Sequence, residues 1–565
     1  MAHGGKLLID QLALHGVQRV FEVPGESFLA ALDGLSDTPS IRTIICRHEG
    51  AAAMMAEATG KLTGKPGIAF ATRGPGVVNA VSGVYVAQQD ATPMILFVGL
   101  PTIPLEERAP FQEIDITALF SGIAKWTAVI RQTDRIPEYV SRAFRVAMSG
   151  RAGPVVIGLP EDVLSAQTTA TPLPPATLSL AAPSDRDMDA LAKRLVAAER
   201  PLLVVGGPGW SRETKRTIED FARAFDVPVA ASFRCQDYFD NRHPSYVGHL
   251  GFVTDRKLKA GLKASDLVIA IGAEVADIAT DGYALLGGAD QTFVQVHPEP
   301  AAILGYRDAS LVIPAASATF AEALLGMAER VPHASDKGGT SDKKGARRAW
   351  SVFRHDLRAA YEASLVPRAT PGPVRMEDVV TAISAALPDT GLVTNGAGNY
   401  SQWVHRYFQC KEYRSGLAST CGSMGYGLPA AIAAKLENPA SPVVCFAGDG
   451  CFAMTATELG TAIQYDLPIV IVIANNGMYG TIRMHQERRY PGRPNGTTLV
   501  NPDFAAFAHA HGAGGAVVAR SEDFAGVLAE ALAADTPYVI DVRLDPEAIT
   551  PMETLTGVRE AATAK

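Results

Sequence analysis

The sequence has few cysteines and no long apolar run. Its six cysteines, in a chain of 565 residues, form no C-x-x-C pair, which argues against paired-cysteine zinc or redox motifs and against a disulfide framework. No apolar stretch approaches the ~18 residues of a membrane-spanning helix. The amino terminus, MAHGGKLLIDQLALHG, has neither the basic region nor the cleavage site of a signal peptide. These absences predict a reduced, cytoplasmic protein that does not cross a membrane.

An excess of positive charge is also missing. The chain carries 51 Lys and Arg against 59 Asp and Glu, a net charge of −8, so nothing indicates nucleic acid or an anionic membrane as a partner. Its hydrophobic content of 47% and charged content of 19% are ordinary for a globular enzyme.

Two stretches of the chain have the composition of linkers. Residues 166–184 are rich in Pro, Thr and Ala, and residues 331–348 are polar, charged and glycine-containing. They predict three domains, at 1–165, 186–332 and 350–565. Each domain alternates apolar strand-like runs with helical patterns, so the predicted fold class is α/β, with three doubly wound parallel sheets.

The most informative stretch runs from Val443 to Tyr479. An apolar strand, VVCFA, ends at the turn Gly448-Asp449-Gly450, a helical pattern follows, and a β-branched strand, IVIVIA, ends at Asn475-Asn476. Parallel strands end at the same edge of a sheet, where open α/β sheets bind ligands. We therefore expect Asp449 and Asn476 to lie side by side at that edge.

These two side chains suit a metal–diphosphate site. A carboxylate, an amide oxygen and nearby backbone carbonyls form the oxygen-only ligand set that Mg²⁺ prefers. The N–H groups at the start of the helix after Gly450 suit a phosphate, and the flanking glycines allow close backbone approach. The plain alternative is an ordinary doubly wound sheet with an acidic turn.

The spacing of these motifs resembles a known family. A GDG turn, 24 further residues and an Asn-Asn pair are similar to the signature of thiamine diphosphate enzymes. The resemblance implies that Asp449, Asn476 and the backbone carbonyl of Met478 hold Mg²⁺, which in turn holds the cofactor diphosphate. It also implies pyrimidine-binding, central and diphosphate-binding domains, in that order.

A second motif supports the same resemblance. The segment CGSMGYGLPAA resembles the GxMGxGLPAA segment of the family, in which Met424 would wedge beneath the cofactor and bend it into a V shape. The full set of expected cofactor contacts is Pro24, Asn79, Gly398, Asn399, Gly422, Met424, Gly448, Asp449, Gly450, Cys451, Asn476, Met478, Tyr479 and Gly480.

Glu49 is the principal catalytic candidate. From the residues alone it is either a solvated glutamate in a first helical turn or, given the apolar AAAMMAEA that follows, a desolvated carboxyl with a raised pKa. RHEGAAAMMAEA and ATRGPGVVNA resemble the pyrimidine-binding domain of the acetolactate synthase and benzaldehyde lyase group. The resemblance implies that Glu49 shares a proton with the cofactor's aminopyrimidine ring, and that it does so from the partner chain of a homodimer.

Two further residues are catalytic candidates. Gln112, in APFQEID, matches a glutamine that borders the substrate in this group. Glu26 lies in the segment PGES, at a place where acetolactate synthases resemble PGGA. It is therefore a candidate second acid or base. The alternative is a glutamate at a helix N-terminus, beside the capping Ser27.

The central domain and the region after Asn476 mark departures from the family. PLLVVGGPGW does not complete a GxGxxG fingerprint, and GAEVADIATDG lacks the arginines of the family's flavin-holding segment, so we expect FAD to be absent or weakly held. Five basic residues follow Asn476 in a predicted loop that is either solvated or a clamp for a carboxylate or phosphate: Arg483, His485, Arg488, Arg489 and Arg493.

The resemblance covers nearly the whole chain. It implies thiamine diphosphate- and Mg²⁺-dependent decarboxylation of a pyruvate-like 2-oxo acid, with carboligation to a second carbonyl compound, as in the large subunit of acetolactate synthase. It also implies a homodimer with active sites between chains, paired into a dimer of dimers. The alternatives are a lyase or decarboxylase for a 2-hydroxyacyl-CoA or a bulkier 2-oxo acid, and a non-catalytic binding or regulatory protein. A dinucleotide-dependent oxidoreductase would rest on fold analogy alone.

Overall fold

The structure is a computed structural model that describes residues 1–175, 177–288, 290–302, 309–327 and 341–564, with the side chains of 302 and 341–349 excepted. Within these residues, three parallel sheets of six strands form the centres of three α/β domains. A short antiparallel ribbon joins the amino terminus to the segment after the first domain. The predicted fold class is therefore confirmed; the exact domain boundaries stay a prediction.

The first domain has the strand order β3-β2-β4-β5-β7-β6. Its inner strands are continuous apolar runs, buried on both faces as parallel sheets require. The strands are β1 (Ala2–His3), β2 (Arg19–Glu22), β3 (Arg42–Ile45), β4 (Gly67–Ala71), β5 (Met94–Leu100), β6 (Trp126–Val129), β7 (Pro154–Pro160) and β8 (Gln167–Thr168). The helices are α1 (Gly4–Leu14), α2 (Leu29–Ser36), α3 (Glu49–Thr63), α4 (Pro75–Gln89), α5 (Ile116–Phe120), α6 (Ile136–Met148) and α7 (Glu161–Ser165).

The central domain has the strand order β11-β10-β9-β12-β13-β14. Its strands are β9 (Pro201–Val205), β10 (Val229–Ala231), β11 (Tyr246–His249), β12 (Leu267–Ile271), β13 (Thr292–Val296) and β14 (Leu311–Ile313). Its helices are α8 (Asp185–Ala197), α9 (Arg212–Phe225), α10 (Arg256–Ala264), α11 (Asp277–Thr280), α12 (Ser317–Gly326) and α13 (Ser341–Ser364).

Part of the second predicted linker is helical. Residues 341–348 form the first turns of α13, whereas 331–340 lie outside the described residues. The helix docks because its later turns bury Trp350, Leu357 and Tyr361, which recur at helical spacing. The polar composition of the first turns conceals this apolar face in the sequence.

The third domain has the strand order β16-β15-β17-β18-β20-β19. Its strands are β15 (Leu392–Asn395), β16 (Gly416–Ala418), β17 (Val443–Gly448), β18 (Val470–Asn475), β19 (Gly514–Val518) and β20 (Tyr538–Arg543). Its helices are α14 (Met376–Ala386), α15 (Tyr400–Tyr407), α16 (Gly427–Glu437), α17 (Asp449–Ala453), α18 (Leu459–Gln464), α19 (Gly480–Arg489), α20 (Phe504–Ala510), α21 (Phe524–Ala533) and α22 (Leu555–Thr563).

Two local predictions in the third domain are wrong. The single helix expected after Gly450 is broken into α17 and α18, because Thr455 Oγ1 leaves the helix to donate to the carbonyl of Gly425 at 2.8 Å. The basic segment after Asn476, expected as a loop, is helical as far as Arg489.

The first and third domains share one hydrophobic core. Helices α3 and α16 pack against each other, and the buried side chains of both belong to the same apolar cluster. All six cysteines are free thiols, in agreement with the sequence-based expectation of no disulfide framework.

Candidate active site

Strands β17 and β18 bring the two halves of the predicted metal motif together. They are adjacent and parallel, with Gly448 opposite Ala474. Asp449 therefore begins α17 at the same sheet edge where β18 ends at Asn475. Asp449 is only 3% exposed, so this carboxylate lies beneath the surface of the edge.

The Asp449 carboxylate is held by three donors. Its Oδ1 accepts the backbone N–H of Gly450, and its Oδ2 accepts the N–H of Gly477 and Nδ2 of Asn501, each at 2.8 Å. Burial raises the pKa of Asp449, and these hydrogen bonds oppose the increase. Carboxylate oxygen atoms are also ligands that Mg²⁺ prefers, so Asp449 is suited to hold a cation.

The segment after β18 supplies further oxygen atoms. The side-chain oxygen of Asn476 accepts the N–H of Met478 at 3.3 Å, and the carbonyl of Met478 accepts the N–H of Gly480 at 2.9 Å. Gly477 has φ +67°, a left-handed conformation that favours glycine. With Asp449, this carboxylate–amide–carbonyl set fits a hard cation such as Mg²⁺ and lacks the nitrogen and sulfur ligands typical of structural zinc sites. Among the described residues, no group of three or more His, Cys, Asp and Glu offers another metal site.

Asn501 is a site residue that the sequence analysis missed. Its Nδ2 donates to Asp449 and, at 3.0 Å, to Oδ1 of Asn475. Asn475 in turn donates to Asp541 at 2.9 Å. Asn501 lies in an irregular segment with no motif of its own, so only the three-dimensional fold connects it to the site.

The predicted cofactor contacts of the third domain converge on the same edge. The backbone N–H of Gly425 donates to Sγ of Cys451 at 3.2 Å, which places the loop carrying Gly422 and Met424 against α17. Gly422 has φ +70°, and Met424 is half-buried against the domain core.

Three further contacts tie the remaining predicted residues to this edge. The side-chain oxygen of Asn399 accepts the hydroxyl of Thr481 at 3.0 Å, which joins the Gly398 turn to the start of α19. A Cβ at Gly450 would lie 2.5 Å from the ring of Tyr479, and one at Gly448 would lie 3.0 Å from the ring of Tyr400. The two glycines therefore permit approaches that another residue would block.

Glu49 lies in a separate cluster on the first domain. It opens α3, and its Oε2 accepts Nδ2 of Asn79 at 3.0 Å. Its Oε1 would lie 3.1 Å from a Cβ at Gly76. The carboxylate is partly exposed in the single chain, so the desolvation expected for Glu49 needs a further surface to cover it.

Glu26, Pro24 and Gln112 belong to the same edge of the first sheet. The side chain of Glu26 is 68% exposed and pairs with Arg73 at 2.8 Å. Pro24 is exposed just after β2. Gln112 has φ +61° and lies against Gly74, at the turn after β4.

The two clusters do not meet within one chain. No hydrogen bond or ion pair among the described residues joins Glu49, Glu26 or Gln112 to the third-domain cluster around Asp449. A cavity of about 980 Å³ extends from the third-domain cluster to the central domain, and its described lining includes no residue of the first domain.

The basic segment after Asn476 divides into two groups. Arg483 pairs with the fully buried Glu487 at 2.9 Å, and Arg559 of α22 also pairs with Glu487, at 2.8 Å. The hydrogen bonds from Arg559 lower the pKa of Glu487 to about 2. His485 and Arg488 instead line the cavity.

Arg489 and Arg493 are exposed. Of the five basic residues considered for an anion clamp, His485 and Arg488 therefore remain as candidates. Arg488 is already paired with Glu553 at 2.5 Å.

Comparison with protein families matches three family profiles in chain order. They are the thiamine pyrophosphate enzyme N-terminal TPP binding domain at residues 2–119, the central domain at 188–324 and the C-terminal TPP binding domain at 396–542.

Individual relatives align over nearly the whole chain. The acetolactate synthase large subunit of Parasynechococcus marenigrum (strain WH8102) is 31% identical over 553 residues, 96% of this chain and 87% of the relative. The acetolactate synthase of Arthrospira platensis is 30% identical over 560 residues, 96% and 94%. The acetolactate synthase isozyme 2 large subunit of Escherichia coli (strain K12) is 28% identical over 545 residues, 96% of both chains.

The chain therefore belongs to the thiamine pyrophosphate enzyme family. Within that family, the relatives described above are all acetolactate synthases. The expected enzyme class and its thiamine diphosphate cofactor are confirmed. Among the described residues, no helix is both long and apolar enough to cross a bilayer.

Proposed function

We propose that the chain is a thiamine diphosphate- and Mg²⁺-dependent enzyme that decarboxylates a 2-oxo acid and joins the remaining fragment to a second carbonyl compound. The observation that carries this proposal is the buried Asp449 carboxylate, which shares the sheet edge with Asn476 and the carbonyl of Met478. The alignment with acetolactate synthases over 96% of the chain supports the same reaction type.

The third-domain residues bind and orient the cofactor. Asp449, Asn476 and the Met478 carbonyl hold Mg²⁺ through oxygen atoms. Asn501 keeps the carboxylate in place through its 2.8 Å bond to Oδ2. Met424, half-buried against the domain core, would pack against the bound cofactor. Thiamine diphosphate supplies an electron sink for the loss of CO₂ from a 2-oxo acid.

Glu49 acts on the pyrimidine ring from the partner chain of a homodimer. The separation of the two clusters in one chain supports this assignment, as does the partial exposure of the Glu49 carboxylate. Asn79, which donates to Glu49 at 3.0 Å, fixes the orientation of the carboxyl. Covering by a second chain would exclude water from the Glu49 carboxyl. We propose that two such dimers associate and that the protein is cytoplasmic.

The first experiment measures the products formed from pyruvate. Purified protein is incubated with thiamine diphosphate and Mg²⁺, and CO₂ and acetolactate are measured together. Both products are expected, and Glu49→Gln should reduce their formation by about 100-fold or more. Glu107→Gln is the matched control, because Glu107 is an exposed glutamate of the same domain. CO₂ without acetolactate would contradict the carboligation step and leave a simple decarboxylase.

We propose that FAD is not part of this site. The segment after β12 carries Glu274, which pairs with Arg151 at 2.5 Å and lies 3.7 Å from His297. The carboxylates of this segment would repel the negative charge of a dinucleotide pyrophosphate. The visible absorption spectrum of protein purified with added FAD tests this, since retained flavin absorbance would contradict it.

A second candidate function is decarboxylation of a bulkier 2-oxo acid. The cavity beside the metal motif, at about 980 Å³, favours it, because pockets of 300–1,000 Å³ hold drug-sized ligands. A panel of 2-oxo acids of increasing length distinguishes the candidates by their products: CO₂ together with a carboligated product supports the carboligase, whereas CO₂ without one supports the decarboxylase.

A further inference from the structure

The large cavity continues well beyond the cofactor contacts. It runs from Gly398 and Gly422, at the cofactor edge, to Phe252 of the central domain and Thr550 of the carboxyl-terminal segment. Phe252 is 62% exposed at its wall. The cavity therefore extends from the expected cofactor contacts into the central domain.

The wall of this cavity is positively charged, although the chain as a whole carries a net charge of −8. Its cations are Arg234, Arg256, Lys257, Lys259, Arg368, Arg406 and Arg488, and its acids are Asp255 and Glu553. A cleft lined by one sign of charge concentrates ligands of the opposite sign. The cavity therefore selects anions.

Arg406 is the unusual member of this set. It is only 9% exposed, and its Nε is buried without a hydrogen-bond partner. No described residue accepts a hydrogen bond or forms an ion pair with its guanidinium; its contacts are the Tyr407 ring, 5.7 Å away, and the last turn of α15. Only Nε is fully buried without a partner, so the terminal nitrogens of the guanidinium reach the cavity and can donate to an anion there.

Two other basic groups of the cavity wall have partners, although the Nε of Arg234 is also buried without one. Arg234 is also buried, but it donates to the carbonyls of Ser419 and Gly396. Lys259 pairs with Asp281 at 2.8 Å. The neighbouring His249 supplies no negative charge in either protonation state, and burial and then the charge of Arg406 lower its pKa to about 4.

Arg406 faces the cavity from the same side of α15 as the cofactor contact. Asn399, Gln402 and Arg406 are spaced three and four residues apart, so they lie on one helix face, and all three line the cavity. Seven residues of helix separate Asn399 from Arg406 by ~10 Å. An anion on Arg406 would thus lie well beyond the diphosphate-contacting turn.

We propose that the natural 2-oxo acid carries a second anionic group beyond its reacting carbonyl, and that Arg406 pairs with that group. This inference rests on the proposed function, since it names the substrate class of the same site. The second group is a carboxylate or a phosphonate, which share the geometry that a guanidinium recognises.

The kinetic test uses enzyme loaded with thiamine diphosphate and Mg²⁺. CO₂ release is measured from pyruvate, from 2-oxoglutarate and 2-oxoadipate, and from 3-phosphonopyruvate. We expect kcat/KM to be highest for a dianionic substrate, and whether a dicarboxylate or the phosphonate leads identifies the second group. Arg406→Gln should lower kcat/KM for that substrate by about 10- to 100-fold and change it little for pyruvate. Arg406→Lys should restore part of the loss.

Arg368→Gln is the matched control, because it removes one exposed cation from the same wall. It should leave the preference for the dianionic substrate in place. Equal losses on pyruvate and on the dianionic substrate in Arg406→Gln would overturn the proposal.

A binding measurement separates this inference from the proposed function. Glutarate, which has no oxo group to react, is titrated calorimetrically into the cofactor-loaded wild type and Arg406→Gln. Binding to the wild type that is weakened at least tenfold in the variant supports the anion site, even if no 2-oxo acid is decarboxylated and the proposed function fails. Equal affinity in both proteins would overturn the anion site.

Discussion

The backbone N–H of Gly477 donates to Oδ2 of Asp449 at 2.8 Å. This bond joins the turn after β17 to the turn after β18, two segments separated by a whole crossover. Gly477 reaches the carboxylate through a left-handed conformation, φ +67°, that other residues adopt at a cost. The geometry of the candidate metal site is therefore set by backbone conformation as well as by its oxygen ligands.

The first prediction concerns Asn501, which donates to the same carboxylate oxygen at 2.8 Å. Asn501→Ala removes this bond and the one to Asn475, so Asp449 loses part of its orientation. We expect Mg²⁺-dependent cofactor affinity to fall by about 10- to 100-fold, as for other residues that orient metal ligands. Titration of Mg²⁺ at fixed thiamine diphosphate measures it. Asn495→Ala, an exposed asparagine in the same segment, is the control, and an equal effect there would contradict the role.

The second prediction concerns Glu22, which is 2% exposed and has a buried oxygen without a partner. Burial raises the pKa of Glu22 from 4.5 to about 7. The pKa of Glu22 is higher in the folded protein than in the unfolded chain, so protonation of Glu22 favours the folded state. This stabilisation is fully present below about pH 4.5 and is lost as pH rises through about 7. Ionisation then opposes folding by on the order of 3 kcal/mol.

Glu22→Gln should therefore be more stable than the wild type at pH 8 and differ little from it near pH 4.5. Thermal unfolding at a series of pH values measures the difference. Glu107→Gln, at an exposed site, should follow the wild type at every pH. A stability difference that does not change with pH would contradict the assignment to Glu22.

Local sequence patterns predicted the edge that carries the metal motif. The apolar runs of β17 and β18 and their glycine and asparagine ends are short-range signals, and parallel pairing then fixes Asp449 beside Asn476. Local patterns also predicted that Glu49 lies in the first turn of a helix. Its carboxylate accepts a hydrogen bond from Nδ2 of Asn79 at 3.0 Å.

Local sequence patterns could not predict contacts between residues that are far apart in the chain. Asn501 reaches Asp449 from a loop without a motif, and the helix after Gly450 breaks because Thr455 bonds to a distant carbonyl. The missing partner of Arg406 becomes visible only when its surroundings are assembled. The sequence pattern identified which groups share a sheet edge. It did not identify which distant side chains form hydrogen bonds with them, or which buried groups have no partner.

The third prediction concerns the buried charges between the first and third domains. Asp90 pairs with Lys61 and accepts both the backbone N–H of Thr420, at 2.7 Å, and its hydroxyl. Thr420 precedes the loop that carries Gly422. Asp90→Ala should therefore lower the free energy of unfolding by on the order of 2 kcal/mol, because the buried Lys61 loses one of its two carboxylate partners and keeps Glu57 at 3.2 Å, and it should also weaken cofactor binding.

The control for this prediction lies at the other end of the same network. Tyr426 donates to the buried Glu57 at 2.6 Å. Tyr426→Phe should cost about 1 kcal/mol of stability and leave cofactor affinity unchanged. Calorimetric titration of thiamine diphosphate distinguishes the two variants; unaltered affinity in Asp90→Ala would limit Asp90 to a structural role.

The fourth prediction concerns Glu487, which connects α19 to α22 through Arg559 at 2.8 Å. Its pKa is lowered from 4.5 to about 2, so its stabilising charge is fully present above about pH 4.5 and is lost as pH falls toward 2. Glu487→Gln should loosen α22 at neutral pH. Amide exchange of residues 555–563 should accelerate by roughly tenfold or more, while Glu560→Gln, an exposed acid on the same helix, should not change it.

The most direct test of the account is calorimetric titration of thiamine diphosphate into the full-length protein, with and without Mg²⁺. The account predicts binding that requires Mg²⁺ and is lost or greatly weakened in Asp449→Asn. Asp466→Asn, an exposed aspartate at φ +53° where asparagine is tolerated, should bind as the wild type does. Mg²⁺-independent binding, or unchanged affinity in Asp449→Asn, would contradict the assignment of the site.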